Sequence, residues 1–281
     1  MTYSINTNTA GLFSTNQLQK TQQNLLTSLA KLASGQRLNQ AADDASGLTI
    51  ADNLDSQARG FGISIRNAND AISIAHIADG ALGQASELVN SIRVQALQAA
   101  NGSQSIESKQ ALQANIQKSL SQLDSLAKNT TYNGQQLLAG GFTDKNFQIG
   151  AAANDTTTLS LGSIQPSQLG DQKLGSLAEV NVLTDKGAQQ ALGIADAALT
   201  QIDTMRADVG SRQNQLSATI SNLSTSRLNT LSAESTIRDL DLAEESTNFA
   251  TLESLTKAQI FAATQANSNK KNVLNLLQGQ F

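Results

Sequence analysis

The side chains able to carry acid–base or metal chemistry are few and scattered. The chain has one histidine, His76, and no cysteine, which removes thiolate nucleophiles, disulfides and Cys-type metal sites together. His76 stands alone beside an apolar helical stripe, the setting of a core or interface residue rather than of a ligand. The densest acidic group, Asp239, Asp241, Glu244 and Glu245, has no convergent histidine and no calcium-loop spacing. It reads as a solvated face near a break between helices. Asp43 and Asp44 precede Ser46 and Gly47 and read as an N-cap and first-turn pair, favoured there by the helix dipole. Neither G-x-G-x-x-G, G-x-x-x-x-G-K-[ST] nor H-E-x-x-H occurs. These residue types predict no catalytic, metal or cofactor site, and a chain that is not an enzyme. N-x-[ST] triplets at Asn101, Asn129, Asn154 and Asn222 arise readily by chance in a chain this rich in Asn and Ser.

Composition narrows the rest. The 281 residues carry a net charge of −4, and no basic cluster exceeds Lys270-Lys271, so nucleic acid is not an expected partner. No run approaches the ~18 apolar residues of a membrane helix, and residues 1–12 lack the basic and apolar regions of a cleaved secretory signal. Aromatics are 3% and tryptophan is absent, leaving Ala, Leu and Ile to build thin helical seams rather than a thick interior.

Those seams are visible in the spacing. Leu54, Ala58, Phe61, Ile65, Ala68, Ile72, Ala75, Leu82, Val89 and Ala96 follow steps of three, four or seven. After a break at Asn101-Gly102 a second stripe, Leu112, Ile116, Leu120, Leu123 and Ala127, predicts a helix hairpin that ends at Asn133-Gly134. Residues 147–149 and 156–161 are β-prone around Asn154-Asp155, which predicts a small hairpin. The helical rhythm returns at Leu192, Ala195, Leu199, Ile202, Val209, Leu216, Ile220, Leu223 and Ile237. A continuous helix over residues 191–238 would be roughly 70 Å long and needs a partner along its length. The 54–100 seam supplies one, so the predicted fold is mostly α: an elongated antiparallel helical rod or coiled-coil bundle with a small β-hairpin region.

The two ends differ from the middle. Residues 4–33 carry only Lys20 and Lys31 as charges, and residues 254–281 carry Lys257, Lys270 and Lys271 and no acid. Both are rich in Asn, Gln, Ser and Thr, with leucines at helical spacing but no apolar face wide enough to fold alone. They are expected to stay largely disordered in the monomer and to become helical only when packed on each other and on neighbouring copies. The residues that would be buried in such an inner layer are Leu18, Leu25, Leu29, Leu32, Phe249, Leu252, Ile260, Val273, Leu274 and Leu277.

Six blocks, in order, resemble the terminal regions of bacterial flagellins: residues 4–10 (SINTNTA), 34–47 (SGQRLNQAADDASG), 67–79 (NANDAISIAHIAD), 131–138 (TYNGQQLL), 233–245 (AESTIRDLDLAEE) and 265–277 (QANSNKKNVLNLL). The resemblance implies a terminal inner-tube domain from residues 1–35 and 250–281, its helices forming a coiled coil. It implies a helical rod domain from residues 45–165 and 185–240, with the β-hairpin near 142–161. Residues 166–184 then form a short remnant where such proteins usually insert outer domains. It also implies a secreted, extracellular subunit that self-assembles into the flagellar filament for motility, with an export chaperone, a filament cap and hook-junction proteins as partners. A hook–filament junction protein and a secreted helical binding module are the alternatives. An innate immune receptor recognises some flagellins through an Arg and a Leu ahead of an A-N-G turn. Here Ser91 and Gln95 stand at those positions with Arg93 between them, which implies weak or absent receptor activation.

Overall fold

The computed structural model describes residues 7–171, 173–277 and 279. Its helices are α1 (Thr9–Ser34), α2 (Ala45–Ala99), α3 (Ile106–Asn129), α4 (Asp185–Arg238) and α5 (Leu242–Leu277). Between α3 and α4 come the strands β1 (Thr131–Tyr132), β2 (Gln135–Gln136), β3 (Lys145–Gln148), β4 (Thr156–Leu159), β5 (Gly170–Asp171) and β6 (Gly175–Ser176), then a 3-10 turn at Leu177–Glu179. The chain forms two compact units, Gln57–Leu228 and the combination of Met1–Ser56 with Asn229–Phe281, and α2 and α4 contribute to both.

In the Gln57–Leu228 unit, the predicted stripe of α2 forms the core: Ala58, Ala68, Ala75, Leu82, Val89 and Ala96 are all buried. Ala71, Ala78, Ala85 and Ile92 interleave with them, so the contact face alternates in steps of three and four as a helical seam requires. Leu112, Ile116, Leu123 and Ala127 of α3 and Ala191, Ala195, Ile202 and Val209 of α4 meet this face in one cluster. Ion pairs fix the antiparallel register of α2 and α4: Arg93 Nε lies 2.5 Å from Asp196 and Arg206 Nε 3.0 Å from Asp79. Toward residues 68–71 the core thins to Ala68, Ala71 and Leu216, flanked by Phe147 and Ile149 from the β3–β4 region.

The strands pair as three antiparallel ribbons, β1–β2, β3–β4 and β5–β6. The predicted hairpin is β3–β4, with Phe147 opposite Thr157, and the Asn67 amide donates to the Gln148 carbonyl at 2.9 Å, tying the hairpin to α2. Residues 166–184 are strapped down by glutamines acting as strand partners. Gln201 both accepts from the Gly170 N–H (3.1 Å) and donates to its carbonyl (2.8 Å), and Gln113 does the same for Val182 and Val180. Gly170 has φ +145, and a Cβ there would sit 2.4 Å from the Gly175 carbonyl oxygen, so only glycine fits. Lys109, buried in α3, pairs with Asp185 in the first turn of α4. The Thr184 hydroxyl accepts from the Gly187 N–H at 3.1 Å, so α4 is capped to start at Asp185, earlier than the apolar rhythm alone predicts.

Candidate functional site: the paired terminal helices

In the terminal unit α1 and α5 lie antiparallel. The Asn8 amide donates to Asn267 Oδ1 at 2.9 Å, and the Ser28 hydroxyl donates to Glu245, so the register steps down α5 as it steps up α1. The α1 seam is Gly11, Ser14, Leu18, Thr21, Leu25, Ser28 and Leu32, a heptad in which every second contact is a hydroxyl residue. Thr21 is buried, and its hydroxyl is satisfied on its own helix by the Gln17 carbonyl at 3.0 Å. The α5 seam is Glu245, Phe249, Leu252, Thr256, Gln259, Ala263, Ala266 and Lys270, all only half-buried. Among the described side chains of α5, none is buried.

The inner-layer residues divide accordingly. Leu18, Leu25, Leu32, Phe249 and Leu252 lie in the α1–α5 seam, brought together within one chain. Leu29, Ile260, Val273 and Leu274 are exposed, and the Leu277 side chain lies outside the described residues. Around them the pair exposes larger apolar groups that the spacing did not single out: Phe13 is 72% exposed, Phe261 71% and Leu26 66%. Exposed apolar groups this large, grouped on one helix pair, mark a surface meant for contact.

The breaks that flank the pair are hydrogen-bonded to each other. Gly35 ends α1 in the left-handed conformation (φ 68). Its carbonyl accepts from the Leu240 N–H at 3.1 Å, and the Arg37 N–H donates to the Arg238 carbonyl at 2.7 Å. Around the bridge between Gln36 and Asp239, the Arg37 guanidinium donates to the Ile237 carbonyl at 2.6 Å. Arg238 lies 3.4 Å from Asp52 and 3.7 Å from Glu234. This joint escaped sequence reasoning because its partners are about two hundred positions apart. The one local signal was Gly35 at the end of the α1 stripe.

The acidic residues are absorbed by backbone work. Asp44 Oδ1 accepts from the Ser46 and Gly47 N–H groups at the start of α2, and Asp241 Oδ1 from Ala243 and Glu244 at the start of α5. Asp43 holds the Asn39 and Gln40 N–H groups, and Asp239 accepts from the Ser235 hydroxyl. Among the described residues no group of His, Asp and Glu is arranged to hold a metal ion, and His76 is exposed on α2. One carboxyl is displaced in pKa: Glu107, in the first turn of α3, is held below the ordinary range by its own backbone N–H and by the Ser105 hydroxyl. Among the described residues, one open groove lined by Glu87, Leu88 and Leu126 and another lined by Leu120, Asp124 and Pro166 carry no convergent reactive groups.

Comparison with known proteins places this architecture. Residues 5–143 match the family model described as the bacterial flagellin N-terminal helical region, and residues 192–277 match that of the C-terminal helical region. The chain belongs to the bacterial flagellin family. It is 43% identical over 191 residues to flagellin B of Helicobacter pylori (strain ATCC 700392 / 26695), an alignment covering 67% of this chain but 37% of that protein. It is 32% identical over 284 residues to the flagellar filament 31.3 kDa core protein of Treponema maltophilum, covering 98% of this flagellin and 99% of that one. A putative flagellar hook-associated protein from Vibrio parahaemolyticus shares the fold, with a TM-score of 0.59 at 16% identity, covering 70% of this chain and 100% of that one. The flagellins are a family of structural proteins, and the two matched regions of this one hold the α1–α5 pair and its joint. Ahead of the Asn101-Gly102 turn, Ser91 is exposed and accepts from the Gln95 amide at 3.1 Å, while Arg93 is engaged by Asp196.

Proposed function

We propose that this flagellin is a structural subunit of the bacterial flagellar filament and polymerises through its paired terminal helices. The observation that carries the reading is α5, a 36-residue helix with no buried side chain among those described and with Phe261 exposed, as Phe13 and Leu26 are on α1. A helix that long gains little from its one partner and needs further contacts to be stable. Other copies supply them by a heterologous contact whose rotation does not close, giving an open helical polymer. Leu18, Leu25, Leu29, Leu32, Phe249, Leu252, Ile260, Val273, Leu274 and Leu277 form the inner layer with residues 1–35 and 250–281, inside a rod built by residues 45–165 and 185–240. Residues 166–184 stand where outer domains are inserted in longer relatives.

The subunit acts outside the cell, is secreted by the flagellar export route, and works with an export chaperone, a filament cap and hook-junction proteins. It performs no catalysis. The hook-associated fold similarity leaves a junction protein as the second reading, but similarity at that level speaks for the fold alone, whereas both flagellin regions match. With Ser91 and Gln95 bonded to each other and Arg93 turned to Asp196, activation of the innate receptor is weak. Reporter cells should need far more of this protein than of a stimulatory flagellin; equal potency would overturn that part. The decisive test of assembly is electron microscopy after seeding with filament fragments, with and without residues 254–281. Growth of the full chain alone supports the reading, and a full chain that stays monomeric where a control flagellin grows moves the junction protein ahead.

A further inference from the structure

Two Asn-Gly dipeptides occupy exposed turns of the Gln57–Leu228 unit: Asn101-Gly102 between α2 and α3, and Asn133-Gly134 between β1 and β2. A glycine lacks the side chain that would shield its backbone nitrogen, so that nitrogen can approach the side-chain carbonyl carbon of the preceding asparagine. Neither glycine has an atom within 4 Å of an added Cβ, so access does not separate the two.

Polarisation and strand pairing do: the Asn101 turn is bonded too, its N–H to the Gln98 carbonyl at 3.3 Å and the Gln104 N–H to its carbonyl at 3.1 Å, but no strand pair closes it. Asn101 Oδ1 accepts two hydrogen bonds from one residue, from the Ser103 backbone N–H at 3.1 Å and from the Ser103 hydroxyl at 3.0 Å. Both donors sit where negative charge develops when Cγ is attacked, the arrangement by which an oxyanion is stabilised. Asn133 has φ 48 and Gly134 φ 77, the two left-handed residues of a tight hairpin turn. The flanking pairs Tyr132–Gln135 and Thr131–Gln136, with the Leu137 N–H on the Thr130 carbonyl at 3.0 Å, hold that turn against the rotation that ring closure needs. Among the described residues nothing donates to its side-chain oxygen.

We infer that Asn101 is a self-modifying site, converting to aspartyl and isoaspartyl forms ahead of Asn133. The Gly102 nitrogen gives its proton to water and bonds to Asn101 Cγ, placing the charge on Oδ1 under the two Ser103 donors. The Cγ–Nδ2 bond then breaks and the nitrogen leaves as ammonia after taking up a proton, which yields a five-membered succinimide. Water adds to either imide carbonyl and opens the ring, to aspartate or to isoaspartate, so one water is consumed and one ammonia released. The product adds one negative charge to the −4 of the chain. The isoaspartyl form also lengthens the backbone between α2 and α3.

The test ages the full-length folded chain at mildly alkaline pH in heavy-oxygen water and maps its peptides by mass spectrometry, with isoaspartyl methyl acceptance as the second readout. The wild type and Ser103→Ala are compared, folded and in denaturant. In the folded wild type, the Asn101 peptide should convert several-fold faster than the Asn133 peptide. Ser103→Ala should slow Asn101 by about 3- to 10-fold, the weight of one lost hydrogen bond. In denaturant the two asparagines should converge and the Ser103→Ala effect should vanish. The inference fails if Asn133 keeps pace with Asn101 in the folded chain, or if Ser103→Ala has the same effect, or none, in both states. Since Ser103 is exposed in a turn, circular dichroism should confirm that the variant keeps its fold.

Discussion

Replacing Phe261 by alanine separates what holds one subunit together from what holds subunits to each other. Fully burying a phenylalanine side chain is worth about 1.5–3 kcal/mol. Phe261 is 71% exposed in the single chain, so most of that stabilisation is unused there and available to a neighbour. If polymerisation buries the ring, Phe261→Ala should cost about 1–2 kcal/mol per added subunit, raising the critical concentration by roughly 5- to 27-fold at ~1.4 kcal/mol per factor of ten. Its effect on monomer melting should be near zero. The contrasting variant is Phe142→Ala, whose ring is only 3% exposed within the Gln57–Leu228 core. That change should cost about 3–5 kcal/mol of monomer stability by leaving a cavity. Sedimentation of seeded filaments over a concentration series gives the first quantity and thermal melting of the monomer the second. A Phe261→Ala chain that melts early yet polymerises at the wild-type critical concentration would refute the assignment of this surface to assembly.

Three further outcomes follow from the geometry. Gly170→Ala forces a Cβ to 2.4 Å from the Gly175 carbonyl at φ +145 and should lower the melting temperature of its unit by roughly 5–10 °C, read by calorimetry; an unchanged melt would show that the β5–β6 turn relaxes freely. Arg37→Ala removes the guanidinium bond to the Ile237 carbonyl and should speed limited proteolysis within residues 35–44, at a cost of about 1 kcal/mol to the joint. The folded pKa of Glu107 lies below its unfolded value, so its contribution is present above the ordinary carboxylate range near 4.5 and is lost as pH falls through the folded value. Glu107→Gln should therefore weaken amide-exchange protection at the N-terminus of α3 slightly at neutral pH, and the difference from wild type should vanish in acid, where Glu107 is itself protonated.

Helix positions were legible because a seam at steps of three and four survives any exchange of Ala for Leu: Ala68, Ala75, Leu82, Val89 and Ala96 fall on the buried face as their spacing requires. The β3–β4 hairpin was legible from β-prone runs around Asn154, whose φ of 70 suits an asparagine. The joint was not, since Arg37 and Arg238 find each other only through the tertiary fold. Nor were Gln113 and Gln201, because a glutamine that completes a strand ladder looks like any surface glutamine in one dimension. At the terminal surface the leucine stripe led to Leu18, Leu25 and Leu32, while Phe13 and Leu26 fall off that stripe and emerge only from exposure.

The same periodicity thus describes two seams that differ in what fills them. Along α2 from Ile74 to Ala99 the buried positions are Ala, Val, Ile and Leu, and the face closes within one chain. Along α1 the leucines alternate with Ser14, Thr21 and Ser28, and the facing positions of α5 include Thr256, Gln259 and Lys270. A hydroxyl satisfied on its own helix, as Thr21 is on Gln17, gives its partner helix no hydrogen bond and only a small apolar contact. Such a seam sets register without much cohesion, while Phe13, Leu26 and Phe261 point away from it with most of their surface uncovered. Spacing alone therefore identifies a coiled coil; the residue types at its contact positions decide whether the coil is finished inside one chain or requires the next.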